Sequence, residues 1–200
     1  MYEVSPVKPL PGCYLVKMVE CHTDILFISK HSCAEIVLFI SMNSVTLIFP
    51  HQLFKQHPAL QKGRIVYLVE EWLFFNQYNF HQQKLILHRS GMQFYSGYLK
   101  EHGFFVEYIE TSDERNDIRK LIAFLALQKI NQIHIADVTD NWLIKRITSS
   151  CKEYKIQLIV YSTPSFLNTM DEVAGFFNKK KTYFQTDFYT SQLKQIRILI

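Results

Sequence analysis

The strongest constraint on the fold is an alternation of short apolar runs and longer helical patterns, which begins at Val45. The apolar runs are rich in β-branched residues and lie at 45–49, 64–69, 104–109, 132–136 and 156–161. Helical patterns separate the later runs, at 78–102, 113–130 and about 137–154. Parallel strands need a crossover connection, usually a helix. The order therefore predicts an α/β fold, a Rossmann-like doubly wound sheet of about five parallel strands with helices on both faces.

Three regions follow from this pattern. Residues 45–163 form the predicted α/β domain, residues 1–44 are an extension without a clean period, and residues 164–200 are a linker leading to a helix near Thr186. The most hydrophobic stretch, 36–49, is shorter than the roughly 20 residues that cross a membrane. The N-terminal residues lack the basic start and apolar run of a secretory signal. We therefore expect no membrane contact and a cytoplasmic location.

Several familiar ligand motifs are missing from the sequence. Neither G-x-G-x-x-G nor G-x-x-x-x-G-K-[ST] occurs, which disfavours a glycine-rich phosphate loop. The four cysteines form no C-x-x-C pair, and no two histidines lie four residues apart within the long helical pattern. We therefore expect no metal site in this chain.

Residues that follow the first two strands of the predicted sheet are the candidates for a binding site. Ligands of open parallel sheets bind beyond the carboxyl ends of the strands, at a switch point. One wall of this candidate site comprises Pro50, His51, Gln52 and Leu53. The other wall comprises Val69, Glu70, Glu71, Phe74 and Phe75.

The side chains of this site leave alternatives open. Adjacent strand residues point to opposite faces, so at most one of Glu70 and Glu71 faces a pocket, and both are alternatively solvated loop carboxylates. The aromatic run at 72–80 can stack on a flat heterocycle or pack in the core. His81, Lys84 and His88 share one helix face, which is either functional or a half-buried face with satisfied histidines.

The C-terminal end of the chain is basic. The whole sequence has a formal net charge of +4, and this end contributes most of the excess. The cations are Lys179, Lys180, Lys181, Lys194 and Arg197. Such an end is either a solvated surface or a weak, salt-sensitive contact for the phosphates of DNA.

Several segments resemble the photolyase-related proteins, the bacterial branch of deoxyribodipyrimidine photolyases and cryptochromes that carries an iron–sulfur cluster and includes the prokaryotic (6-4) photolyases. The H-x-x-K-x-x-x-H-R-S-x-M pattern of residues 81–92 is the most specific piece. The others are FPHQLF at 49–54, VEEWLFF at 69–75, VEYI at 106–109, DVTDNW at 137–142, STPSF at 162–166 and FYTSQLK at 188–194.

The resemblance implies an antenna domain. Such proteins have an N-terminal α/β domain that can hold a lumazine chromophore, followed by a helical domain that binds FAD, carries the cluster and repairs ultraviolet photoproducts in DNA. By this resemblance the chain is the N-terminal α/β domain alone, and residues 164–200 lead into the missing helical FAD domain. DNA is then a partner of the full-length protein, for light-dependent repair or blue-light sensing.

A chain without the flavin half is expected to have no catalytic residues and to be inactive by itself as a carbon–carbon lyase. Two alternatives remain open. One is a stand-alone module of the same fold that binds a small heterocycle or nucleotide, and the other is an inactive remnant.

Overall fold

The computed structural model describes the backbone of residues 17–21, 24–29 and 36–39, and residues 43–178 and 180–197 in full. It divides into two units, Met1–Tyr161 and Ser162–Ile200. The first unit contains both β-sheets and the second contains two helices. In the described part of the chain, no helix combines the length and hydropathy that crossing a membrane requires.

A small antiparallel sheet lies in the N-terminal extension. Its strands are β1 (Lys17–Cys21), β2 (Asp24–Ser29) and β3 (Ile36–Phe39), in the order β1-β2-β3. The short apolar runs of this region, which show no clean period, overlap with these strands. The other positions among residues 1–42 lie outside the described residues.

The main sheet contains five parallel strands in the order β6-β5-β4-β7-β8. They are β4 (Ser44–Ile48), β5 (Ile65–Val69), β6 (Val106–Ile109), β7 (Gln132–Ala136) and β8 (Gln157–Tyr161). All five expected strands are present, with ends shifted by at most two residues. The doubly wound, Rossmann-like prediction is confirmed.

Helices cover both faces of this sheet. They are the short α1 (Trp72–Phe75), α2 (Gln82–Glu101), α3 (Ile118–Leu127) and α4 (Asn141–Glu153), with a 3₁₀ turn at Glu114–Asn116. The apolar face of α2 packs on Ile48 of β4 and on alternate residues of β5, and α3 and α4 pack on the opposite face of the sheet. Both faces are therefore apolar, which explains the near-continuous hydrophobic strands.

Capping side chains determine where the helices begin. Three of the predicted helix boundaries differ from the observed ones for this reason. The helix expected from Tyr78 begins at Gln82, because the His81 side chain accepts a hydrogen bond from the Gln83 amide. The helix expected over 113–130 is interrupted, since Asp117 caps α3 by accepting from the Arg119 amide. Asp140, rather than Asp137 or Thr139, caps α4 through the Leu143 amide.

The end of α2 agrees with the prediction that Gly103 stops it. Gly103 has a φ of 72°, in the left-handed region that glycine adopts without strain. Its amide donates to the Lys100 carbonyl, and the Phe104 amide donates to the Leu99 carbonyl. This pair of bonds is a Schellman motif.

The second unit consists of α5 (Met170–Phe177) and α6 (Gln185–Ile196). A capping box between Thr169 and Glu172 begins α5. The Phe188 ring on α6 lies 5.1 Å from Phe176 and 5.3 Å from Phe177, centroid to centroid. The helix expected near Thr186 is therefore present, held to α5 by aromatic contacts.

The basic end of the chain is described in part. Lys180 lies 3.7 Å from the Asp187 carboxylate, and Lys181, Lys194 and Arg197 are exposed. Lys179 lies outside the described residues. DNA contact by these cations stays a prediction.

Two leucines on α3 test the core packing. Leu121 is fully buried between sheet and helix, whereas Leu127 is 81% exposed. We expect Leu121→Ala to lower the free energy of unfolding by about 3 kcal/mol, since it removes buried methyl groups and leaves a cavity. Leu127→Ala should change it by less than about 0.5 kcal/mol. Urea denaturation measures both, and equal effects would contradict this packing.

Candidate functional site

Two adjacent glutamates are buried at the carboxyl end of β5. Glu70 and Glu71 are both 0% exposed. Glu70 bonds to α2 on one face of the sheet, and Glu71 bonds to the start of α3 on the other. The prediction that they point to opposite faces is confirmed. The alternative of solvated loop carboxylates is wrong, because each carboxyl finds hydrogen-bond donors inside the fold.

Glu70 accepts four hydrogen bonds. Arg89 donates from Nε to Oε1 at 2.8 Å and from Nη2 to Oε2 at 2.6 Å. The Tyr108 hydroxyl donates to Oε1 at 2.8 Å, and the Thr111 amide donates to Oε2 at 2.9 Å. Burial by itself would raise the pKa of Glu70, but these donors, Arg89 above all, outweigh burial and lower it. Glu70 is therefore a buried anion that fixes the Arg89 guanidinium.

Glu71 has a different environment. Its Oε2 accepts from the Ile118 amide at 2.9 Å, and its Oε1 lies 3.9 Å from Arg146 Nη1. Neither Oε1 nor Nη1 has a hydrogen-bond partner among the described residues. Burial and the nearby charge of Asp117 raise the pKa of Glu71 to about 8. Glu71 therefore holds its proton at neutral pH.

The switch point of the sheet lies between β4 and β7, because the chain continues from β4 to β5 on one side and later returns to β7 on the other. Side chains bridge this crevice. Gln52 Nε2 donates to the carbonyls of Ala136 and Asp137, both at 3.1 Å, and His51 Nε2 donates to the Val138 carbonyl at 2.8 Å. The switch point therefore lies one strand away from the β4–β5 pair at which the ligand was expected.

The two walls of the expected site contact one another. The ring centroids of His51 and Phe74 are 5.1 Å apart, and His51 also stacks on Phe49. His51, Leu53 and Phe74 are partly exposed. The other predicted wall residues are buried: Pro50, Gln52, Val69, Glu70, Glu71 and Phe75. The structure thus brings the two walls together as packed side chains.

A cavity of about 260 Å³ lies beside these walls, next to Arg89. Its lining residues are Phe75, Asn76, Leu85, Ile86, Arg89 and Thr111. Only Phe75 belongs to the site expected from sequence. Arg89 stands in the motif at 81–92, but nothing in the sequence indicated that it pairs with Glu70, because a buried carboxyl is stabilised either by a cation or by a proton. Nothing in the sequence indicated that Thr111, in the turn after β6, would line the cavity.

The neighbouring aromatic and histidine residues divide between core and surface. Trp72 and Phe74 pack against the core, and Phe75 is buried in it, whereas Tyr78 is 67% exposed. His88 is half-buried beside Phe75, with ring centroids 6.1 Å apart, and burial followed by the charge of Lys84 lowers its pKa. In the described part of the chain, no cluster of three or more His, Cys, Asp or Glu side chains is placed to hold a metal ion.

The cavity offers hydrogen-bond donors on one side and apolar contacts on the other. Arg89 is 44% exposed at its side chain and held in place by Glu70, and its Nη2 also donates to the Thr111 hydroxyl at 2.7 Å. Leu85, Ile86 and Phe75 supply the apolar surface. None of the six lining residues is a carboxylate, a histidine or a cysteine. The arrangement can therefore bind a small molecule that accepts hydrogen bonds.

The sequence is similar to known proteins over most of its length. A family model described as deoxyribodipyrimidine photo-lyase-related protein matches residues 46–200, a range that contains every residue of the candidate site. The chain is also 28% identical over 170 residues to an uncharacterized protein of Acanthamoeba polyphaga mimivirus. That match covers 80% of this chain and 86% of the viral protein.

The ion pair between Glu70 and Arg89 predicts a pH-dependent loss of stability on mutation. We expect Arg89→Met to lower the free energy of unfolding by about 2 kcal/mol at neutral pH, because it leaves a buried carboxylate without its cation. The pKa of Glu70 is lowered by folding, so the pair stabilises the fold above about pH 4.5 and its contribution is lost as the pH falls through that lowered pKa. The difference in free energy of unfolding between the parent chain and Arg89→Met should therefore be smaller in acid than at neutral pH, as measured by urea denaturation.

Lys100→Met provides the control, since Lys100 is exposed on the same helix. It should change stability little at any pH. A deficit for Arg89→Met that is the same at acid and neutral pH would contradict the assignment.

The raised pKa of Glu71 predicts the opposite pH dependence of stability. Between about pH 4.5 and about pH 8 the folded state keeps a proton that the unfolded state releases, so stability falls as the pH rises through this window. Glu71→Gln keeps an oxygen acceptor for the Ile118 amide and removes the titration. The variant should gain stability relative to the parent chain as the pH rises from 5 to 8.

Glu153→Gln, an exposed change on α4, should show no such trend, and a pH-independent difference for Glu71→Gln would contradict the raised pKa.

Proposed function

The chain belongs to the family of deoxyribodipyrimidine photo-lyase-related proteins, and from this premise we propose that it is the antenna-type α/β part of a photolyase- or cryptochrome-like flavoprotein. In this proposal a lumazine-type chromophore binds in the cavity beside Arg89. The observation that supports it is the guanidinium of Arg89, which the buried Glu70 fixes at the edge of an otherwise apolar cavity.

The chemistry of the cavity matches a lumazine ring. Such a ring is flat, with carbonyl oxygens and ring nitrogens that accept hydrogen bonds along one edge. The planar guanidinium of Arg89 and the amide of Asn76 donate to such acceptors, and Phe75 and Ile86 contact the ring. The cavity volume of about 260 Å³ is slightly below that of typical small-molecule sites. A ribityl chain would therefore extend from the ring into solvent.

The flavin chemistry belongs, in this proposal, to a helical domain beyond these residues. That domain would hold FAD and the iron–sulfur cluster and would recognise damaged DNA, as the resemblance to the bacterial (6-4) branch implies. The chain described here would absorb light and transfer the energy to that flavin. The basic residues of the second unit would contribute a weak, salt-dependent DNA contact at most.

Two neighbouring residues of α2 provide a matched test of the cavity. Ile86 lines it and is 64% exposed, and Leu87 is 73% exposed but is not among the lining residues. Replacing either by arginine changes an exposed side chain on the same helix, so neither should affect folding much. We expect the purified chain to bind a ribityl lumazine, Ile86→Arg to weaken that binding at least about tenfold by filling the cavity, and Leu87→Arg to leave it unchanged.

Fluorescence of the lumazine during titration with each variant measures the affinity. Circular dichroism of the three proteins checks that they share one fold. Equal affinity in the two variants would place the ligand elsewhere, and no binding by the parent chain would contradict the antenna proposal.

A further inference from the structure

A second cavity lies on the opposite face of the sheet, along α4 and beside the first turn of α3. Its volume is about 400 Å³. Its lining includes Arg119, Trp142, Lys145, Arg146, Glu153 and Tyr154. We propose that this cavity binds a nucleoside monophosphate, with the phosphate held by the three cations and the base stacked on Trp142.

The cations of the cavity carry more positive charge than the fold neutralises. Lys145 has no ion pair among the residues that the structure describes. Asp117 pairs with Arg119 at 2.5 Å, and its charge also acts on Arg146. The carboxyl that Arg146 approaches at 3.9 Å is Glu71, which holds a proton at neutral pH. Among the described carboxylates, the three cations of the cavity therefore face only Asp117 and the more distant Glu153, and a phosphate supplies the missing negative charge.

Arg146 is also fixed in orientation. Its guanidinium lies over the Trp72 ring, 5.3 Å from the ring centroid. A guanidinium held in one plane presents a pair of donors that matches two phosphate oxygens. Because less side-chain freedom is lost on binding, a fixed guanidinium favours affinity as well as geometry.

Aromatic surface borders the cationic part of the cavity. Trp142 is 68% exposed and Tyr154 is 41% exposed. Trp142 precedes Lys145 and Arg146 by one helical turn, so its ring lies beside the proposed phosphate position. Stacking of a nucleobase on an exposed aromatic ring is favourable and tolerates any base. The volume of about 400 Å³ lies in the range of small-molecule sites.

The one carboxylate of the lining lies away from the proposed phosphate position. Glu153 follows Arg146 by seven residues, which places it about 10 Å farther along the axis of α4. At that distance, in water, its repulsion of a phosphate at Arg146 is weak.

Calorimetric titration of the purified chain with AMP tests this proposal, with adenosine and inorganic phosphate as separate probes. We expect AMP to bind at least about tenfold more tightly than either probe, because only AMP uses both halves of the cavity. Lys145→Gln and Trp142→Ala should each weaken AMP binding about tenfold. Lys152→Gln is the matched control, since Lys152 is exposed on the same helix and is not among the lining residues.

Four results would overturn the proposal. They are no binding of AMP, phosphate binding as tightly as AMP, an equal loss of affinity in Lys145→Gln and Lys152→Gln, and binding of a single-stranded oligonucleotide in place of AMP. Circular dichroism of each variant checks its folding. The experiment uses no lumazine, so its outcome is independent of the proposed antenna function.

Discussion

The burial of two successive carboxyls at the end of β5 is the constraint on which the arrangement of the sheet and its helices depends. Burying a carboxyl without partners costs several kcal/mol, so each glutamate must find donors on its own side of the sheet. Glu70 finds them on α2 and after β6, and Glu71 finds one at the first amide of α3. One dipeptide therefore positions a helix on each face of the sheet.

The same two carboxyls each contact a cation that lines one of the two cavities. Glu70 fixes Arg89 with a bidentate contact, and the remaining surface of that guanidinium faces the smaller cavity. On the other face, Glu71 is protonated at neutral pH and lies 3.9 Å from Arg146, which lines the larger cavity. Each cavity thus contains a cation that lies next to one of the two buried carboxyls.

Local patterns in the sequence predicted the fold well and the site only in part. Strand positions, helix alternation, the stop at Gly103 and the opposite orientation of Glu70 and Glu71 follow from short-range periodicity and were confirmed. The contact from Arg89 to a residue 19 positions earlier and the bridge from Gln52 to Ala136 depend on which segments meet in space. Periodicity carries no information on such pairings, so the cavity beside Arg89 could not be located from sequence.

Methyl NMR of the chain in the presence of a ribityl lumazine tests the central claim most directly. Leu85 and Ile86 line the cavity beside Arg89, whereas Leu143 and Ile147 are buried on the opposite face of the sheet. The account predicts shifts of the Leu85 and Ile86 methyl signals that saturate together, with the Leu143 and Ile147 signals unchanged. Shifts confined to Leu143 and Ile147, or no shift at saturating lumazine, would contradict it.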